Sequence, residues 1–232
     1  MSKVEPQGYF ITGTDTGSGK TVASVILLQA LKNSGRKVCG MKPVASGCLK
    51  MNDSLVSEDA MQLVKHSSIR PAYELINPVA LQTPCSPNIA AELEGLPVDF
   101  EKIVLAYQEI SKQADIIVVE GVGGWFTPVF GTTGMEELVT RLQLSVILVV
   151  GLRLGCINHA LLTAAAIRSG GINIVGWIAN HVDPDFLYSE QTVSCLGNTL
   201  NCRLLGEIPF AVLLNELSCV TSCLDITRLE HT

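Results

Sequence analysis

The chain has 232 residues, of which 47% are hydrophobic and 16% charged, so there is ample apolar material for one sizeable core and a single domain over residues 1–232. A formal net charge of −6 with no Lys/Arg cluster excludes a general nucleic-acid binder. No apolar run approaches the roughly 20 residues that a membrane-spanning helix needs, so no membrane partner is expected.

The eight cysteines form no Cys-x-x-Cys pair, and no histidine sits at zinc-finger spacing. Residues 1–5 lack an apolar export core. Reduced thiols in a cytoplasmic enzyme are the expectation.

In chain order, residues 9–12 form a short apolar strand that runs into a glycine-rich turn. Residues 20–33 follow as a helix, because Val22, Val25, Ile26, Leu28 and Leu31 recur at helical spacing, and Gly35 caps its end. Residues 37–41 read as a second strand, 42–47 as a loop and 48–56 as an exposed loop. A helix over 57–65 has Ser57 as its N-cap. Prolines at 71, 78, 84, 87 and 97 make residues 71–98 irregular around one short helix at 88–94. A helix at 100–113 leads to a buried strand at 116–120, which ends in Gly121-Val122-Gly123-Gly124. Helices at 135–142, 157–169 and 185–200 then alternate with strands at 145–151, 172–180 and 203–208. This alternation predicts an α/β fold, a P-loop NTPase-type mostly parallel sheet with helices on both faces. Right-handed crossovers bring the strand C-termini to one edge, where such sheets bind ligands.

The most telling stretch is Gly13-Thr14-Asp15-Thr16-Gly17-Ser18-Gly19-Lys20-Thr21, set between a strand and a helix. It reads as a phosphate-binding P-loop. Glycines let backbone N–H groups turn toward phosphate oxygens, and the helix N-terminus adds partial positive charge. Lys20 reaches the β/γ-phosphates of a nucleoside triphosphate, and the Thr21 hydroxyl faces Mg²⁺. A second acid for the metal is expected at another strand end, which Glu120 supplies. Lys42 lies on the same edge, where a second cation would stabilise a transferring phosphoryl group. Ser46 is placed to donate to substrate. Spacing alone puts Asp59 on the surface. Asn180 faces a base edge or caps its strand, and His159 reads as structural.

Several blocks in register with the P-loop carry a resemblance: Lys42-Pro43-Val44-Ala45-Ser46-Gly47, Val119-Glu120-Gly121-Val122-Gly123-Gly124-Trp125, Gly155-Cys156-Ile157-Asn158-His159-Ala160, Gly176-Trp177-Ile178-Ala179-Asn180 and Gly206-Glu207-Ile208-Pro209. Over roughly residues 8–216 the chain resembles the ATP-dependent dethiobiotin synthetase family. The resemblance implies carboxylation of 7,8-diaminopelargonate (7,8-diaminononanoate) by CO₂, phosphorylation of the carbamate by ATP with Mg²⁺, and ring closure to dethiobiotin. It makes Lys42 and Lys20 catalytic and gives Thr21, Asp59 and Glu120 to the metal. It assigns the nucleotide to Gly17, Ser18, Gly19, Lys20, Thr21, Val22, Asp59, Glu120, Gly121, Val122, Gly123, Asn180, His181, Pro209, Phe210, Ala211 and Glu216. Thr16 and Ser46 contact substrate, and Cys156, Ile157 and Asn158 receive its tail carboxylate across the interface of a homodimer. In two places the chain departs from the family pattern. Gly17-Ser18 stands where Glu-Val is frequent, and His181 follows Asn180 where an aspartate is common. Two other readings are a different ATP-dependent ligase on this scaffold and a partitioning-type regulatory ATPase. The latter carries an extra lysine early in its P-loop, where this chain has Asp15.

Overall fold

A computed structural model of the chain describes residues 7–210 and 221–229. Six parallel strands form the central sheet: β1 (Gln7–Gly13), β2 (Val38–Met41), β3 (Ile116–Gly124), β4 (Ser145–Leu152), β5 (Ile174–His181) and β6 (Leu204–Ile208), in the spatial order β6-β5-β4-β1-β3-β2. Their Val/Ile/Leu runs are buried because both faces are covered, as parallel sheets require. Alternate residues feed two cores. Phe10, Val119, Leu148 and Trp177 point to one face, and Ile11, Val118, Val149 and Ile178 to the other.

Helix α1 (Lys20–Asn33) covers the second face. It ends as the sequence predicts, with Gly35 at φ 87° one residue beyond the cap. The Arg36 amide donates to the Leu31 carbonyl at 3.3 Å and the Gly35 amide to Lys32 at 3.0 Å. That is the double hydrogen bond of a left-handed C-terminal cap. Helices α2 (Glu58–His66), α3 (Tyr73–Ile76), α4 (Pro87–Glu94), α5 (Phe100–Ser111), α6 (Met135–Arg141), α7 (Cys156–Ser169) and α8 (Ser189–Thr199) complete the described α-helices. The Ser57 side chain accepts from the Ala60 amide at 3.3 Å and starts α2, the predicted N-cap.

The expected loop at residues 48–56 is instead a β-hairpin, Leu49–Met51 against Ser54–Val56, turned at Asn52 with φ 53°. Its strands escape a periodicity search because Leu49, Lys50 and Met51 are all exposed. Residues 71–98 hold more order than their prolines suggest: α3 precedes α4, and Val79–Ala80 pairs with Val44–Ala45. Pro87 sits at the start of α4, where its missing N–H costs no helical bond. The helix expected from residue 185 begins at Ser189.

Register places the site. Gly13 of β1 lies beside Val149 of β4 and Gly124 of β3, and Met41 of β2 beside Val119. Asn180 of β5 lies beside Gly151 and Ile208. The six strands therefore end at one edge. On the outer side of β6 the chain returns: Gly206 bridges Leu224 antiparallel, and the Asp225 amide donates to the Leu205 carbonyl at 2.8 Å. Leu224 and Leu229 are buried there.

Candidate active site

Five residues separate Gly13 from Gly19, one more than lies between the two glycines of the usual P-loop pattern. Gly13 is still paired in the sheet, and the Thr14 amide donates to the Val149 carbonyl at 3.2 Å. The loop proper is therefore residues 14–19, with Thr14 in the place of the first glycine of the usual pattern. Its turns fall at Gly17 (φ 81°) and Gly19 (φ 86°), left-handed positions that suit glycine. A Cβ on Gly19 would stand 1.9 Å from Asn180 Nδ2. That same Nδ2 donates to the Ser18 carbonyl at 2.9 Å, so β5 fixes the loop from beneath.

Lys20 Nζ donates back to the Asp15 carbonyl at 3.1 Å. The Asp15 carboxylate is held by Arg153 at 2.5 Å, which anchors the loop, and His159 Nδ1 stands 3.6 Å from it, beyond hydrogen-bond distance. Burial, with the nearby Lys42 charge adding to it, pulls the Lys20 ammonium down to a pKa of about 8.

Four side chains from three elements and the loop after β2 meet beyond the loop. The Thr21 hydroxyl lies 2.9 Å from Asp59 Oδ1 and 2.9 Å from Glu120 Oε1. Lys42 Nζ lies 2.7 Å from Glu120 Oε1, 2.8 Å from Asp59 Oδ2 and 3.0 Å from the Gly121 carbonyl. Lys42 is buried and Glu120 fully so. Burial alone would lower the Lys42 pKa, but Glu120 and Asp59 outweigh it and hold the ammonium charged. Burial likewise opposes ionisation of Asp59, and Lys42 reverses this, keeping it a carboxylate. Asp59, which spacing put on the surface, thus belongs to the cluster. Two devices fix Lys42. Its amide donates to the Ile76 carbonyl at 2.8 Å, and its carbonyl accepts from Asn77 Nδ2 at 2.7 Å.

This cluster lies in a cleft of about 760 Å³ whose wall also includes Thr16, Gly17, Gly19, Val22, Ser46, Val122 and Gly123. Sequence reading missed Pro84, Cys85, Ser86, Pro87 and Thr127, which line it as well. The run of prolines 84 and 87 was their only signal, and it reads equally as an ordinary connection. Thr16, Ser86 and Thr127 open onto a second hollow of about 860 Å³ bounded by Trp125, Phe126 and α7. Ser18 points inward and is fully buried. Pro209 and Phe210 are exposed, and His181 Nε2 lies 3.3 Å from Glu207 Oε2; none of the three lines either hollow. Cys156, Ile157 and Asn158 begin α7 and likewise lie outside both linings. Ala211 and Glu216 fall outside the described residues.

Among the described residues no three His, Cys, Asp or Glu side chains gather as a metal cage. Two carboxylates and a hydroxyl do gather, and oxygen-only partial shells suit Mg²⁺, which fills its octahedron with water and phosphate. Glu120 Oε2 is buried with no hydrogen-bond partner, a lone pair that a hard cation would satisfy. The residues present therefore fit Mg²⁺.

A phosphate loop at the end of the central strand, a buried carboxylate on the next strand and two lysines beside them define a P-loop nucleoside triphosphate-binding protein. The model of the AAA domain family matches residues 7–218. The chain is 46% identical over 207 residues to the ATP-dependent dethiobiotin synthetase of Xanthomonas oryzae pv. oryzae, covering 89% of this chain and 92% of that one. It is 47% identical over 202 residues to the enzyme of the same name from Xanthomonas axonopodis pv. citri, covering 87% and 90%. Among solved structures it is similar to chloroplast FtsY from Physcomitrella patens, at 19% identity and a TM-score of 0.49, covering 89% of this chain and 59% of that one. The chain belongs to the ATP-dependent dethiobiotin synthetase family, which places it among the ligases of biotin biosynthesis.

Proposed function

We propose that this chain, acting as a single P-loop domain, converts 7,8-diaminononanoate, CO₂ and ATP to dethiobiotin, ADP and phosphate. The observation that carries this reading is the meeting of Lys20, Thr21, Lys42, Asp59 and Glu120 in one cleft that opens through Thr16 into a second hollow. One compartment suits a triphosphate, the other a long diamine.

One amine takes up CO₂ as a carbamate and sheds a proton. A carbamate oxygen attacks the γ-phosphorus, and ADP leaves. The second amine then attacks the carbamoyl carbon, expelling phosphate and closing the urea. Phosphoryl transfer depends mainly on positioning and charge neutralisation. The loop amides and Lys20 orient the phosphates, Lys42 supplies the second cation, and Ser46 with Thr16 holds the diamine. Thr21, Asp59 and Glu120 would hold Mg²⁺, which neutralises phosphate charge when bound. Confining both amines beside the activated carbon raises their effective concentration for closure. Asn180, beside the loop, and the region of Pro209 are assigned to the nucleoside.

We place the substrate's tail carboxylate at the start of α7 of a second copy, making the protein a homodimer. The exposed Leu154, Leu162 and Phe126 near that helix and the second hollow support this. We further read it as a cytoplasmic enzyme of small-molecule substrates, whose acidic net charge disfavours a nucleic-acid partner. The test is incubation with diaminononanoate, bicarbonate, Mg²⁺ and ATP followed by mass spectrometry. Dethiobiotin is expected. ATP hydrolysis without it would overturn the reading in favour of a switch ATPase.

A further inference from the structure

Lys42 has more partners than a transition-state cation can keep. An ammonium carries three N–H donors. Lys42 Nζ has acceptors at 2.7, 2.8 and 3.0 Å, from Glu120 Oε1, Asp59 Oδ2 and the Gly121 carbonyl. No N–H remains for a phosphoryl oxygen. Lys20 contrasts with it: the Asp15 carbonyl at 3.1 Å is the acceptor its ammonium meets, which leaves donors for phosphate.

The carboxylates that hold Lys42 are the ones read as metal ligands, and Glu120 offers Lys42 its Oε1 while its Oε2 has no partner. Glu120 Oε1 lies 2.7 Å from Lys42 Nζ and 2.9 Å from the Thr21 hydroxyl. Asp59 instead divides its two oxygens, Oδ1 toward Thr21 and Oδ2 toward Lys42. Two carboxylates and one ammonium sum to a charge of −1. With a divalent cation in place of the ammonium the carboxylates are neutralised, and the ammonium keeps its charge for the phosphates. The two side chains differ in freedom: Asp59 is 44% exposed and Glu120 is not exposed at all. Asp59 is therefore the carboxylate that moves, and Glu120 the fixed one.

We propose that Lys42 and the divalent metal exclude each other from the Glu120–Asp59 carboxylate pair, so that metal loading turns Lys42 toward the transferring phosphoryl group. The proposal rests on the reading of Thr21, Asp59 and Glu120 as metal ligands. It makes Lys42 serve twice, as placeholder in the metal site and as cation for transfer. It also imposes an order: Lys20 is available to phosphates from the start, and Lys42 only after the metal arrives. ATP without metal would then bind and not react, which guards the cleft against unproductive hydrolysis.

The test is Mn²⁺ binding without nucleotide, followed by electron paramagnetic resonance, for the natural chain, Lys42→Met and Lys20→Met. Each variant removes one positive charge from the same cleft, and only Lys42 touches the carboxylates. Lys42→Met is expected to bind Mn²⁺ about tenfold more tightly or better, and clearly more tightly than Lys20→Met. Equal gains in the two variants would reduce the effect to plain charge removal and overturn the proposal, leaving the metal site and the ligase reading intact. Absence of Mn²⁺ binding in all three proteins would overturn the ligand assignment and the proposal together. Because Lys42→Met leaves a buried carboxylate unpaired and threatens folding, the natural chain supplies a second readout. Labelling of Lys42 by an amine-reactive reagent, followed by peptide mass spectrometry, should speed up several-fold on adding Mg²⁺ alone. An unchanged or slower rate would overturn the proposal.

Discussion

Asn180 Nδ2 donates to the Ser18 carbonyl at 2.9 Å, and no side chain larger than hydrogen fits at Gly19 beside it. One buried amide thus ties the end of β5 to the phosphate loop. Gly19→Ala places a Cβ 1.9 Å from that amide at a left-handed φ of 86°. The variant should lose about 1–3 kcal/mol of stability and bind ATP at least tenfold more weakly, as measured by denaturation and calorimetry. Wild-type affinity would show that the loop does not need this shape.

Removing Lys42 strands Glu120 in the core. Lys42→Met should cost about 3–5 kcal/mol, the usual penalty for breaking a buried ion pair from one side. Adding Glu120→Gln should recover most of it, because the orphaned charge is then gone. Urea denaturation of both variants at neutral pH checks this. A double variant no more stable than the single one would mean that the pair is not the source of the loss.

Lys20 should give nucleotide binding a pH dependence. Its folded pKa of about 8 lies below the ordinary lysine value, chiefly through burial. The buried charge therefore burdens the fold at pH values below about 8. That burden is relieved as pH rises from there toward the unfolded value of 10.5. The same rise removes the ammonium that phosphates need, so metal-free ATP affinity should fall as pH passes about 8. Lys20→Arg, always charged, should flatten that profile. Calorimetry across the pH range decides it.

Ser18 carries a fully buried hydroxyl without a hydrogen-bond partner. Ser18→Ala should be neutral or stabilising by about 1 kcal/mol, since an unsatisfied polar group is removed without enlarging the side chain. Thermal denaturation checks the sign, and a marked loss would reveal a partner for the hydroxyl.

Much of this was legible in the sequence for a physical reason. Strands buried on both faces read as unbroken Val/Ile/Leu runs, and a phosphate loop must carry Gly19-Lys20-Thr21 at a helix start. The hairpin at Leu49–Met51 was not legible, because exposed strands leave no periodic trace. Asp59 was not legible either, because α2 reaches the cleft only through packing. Its role came from family resemblance, and its contacts with Thr21 and Lys42 appear only in three dimensions. The wall at Pro84, Cys85, Ser86 and Pro87 was invisible because prolines announce a bend without saying what it faces.

The return of the chain along β6 has a consequence for solubility. A parallel sheet ends in a row of unpaired amides and carbonyls, an open template for another chain's strand. Here the Gly206–Leu224 bridge and the Asp225 amide close part of that row. A Cβ on Gly206 would stand 1.8 Å from the Cys223 carbonyl oxygen, so the closure depends on the bare backbone of one residue. The segment acts as a selvedge, the finished border that keeps a woven sheet from taking on further threads.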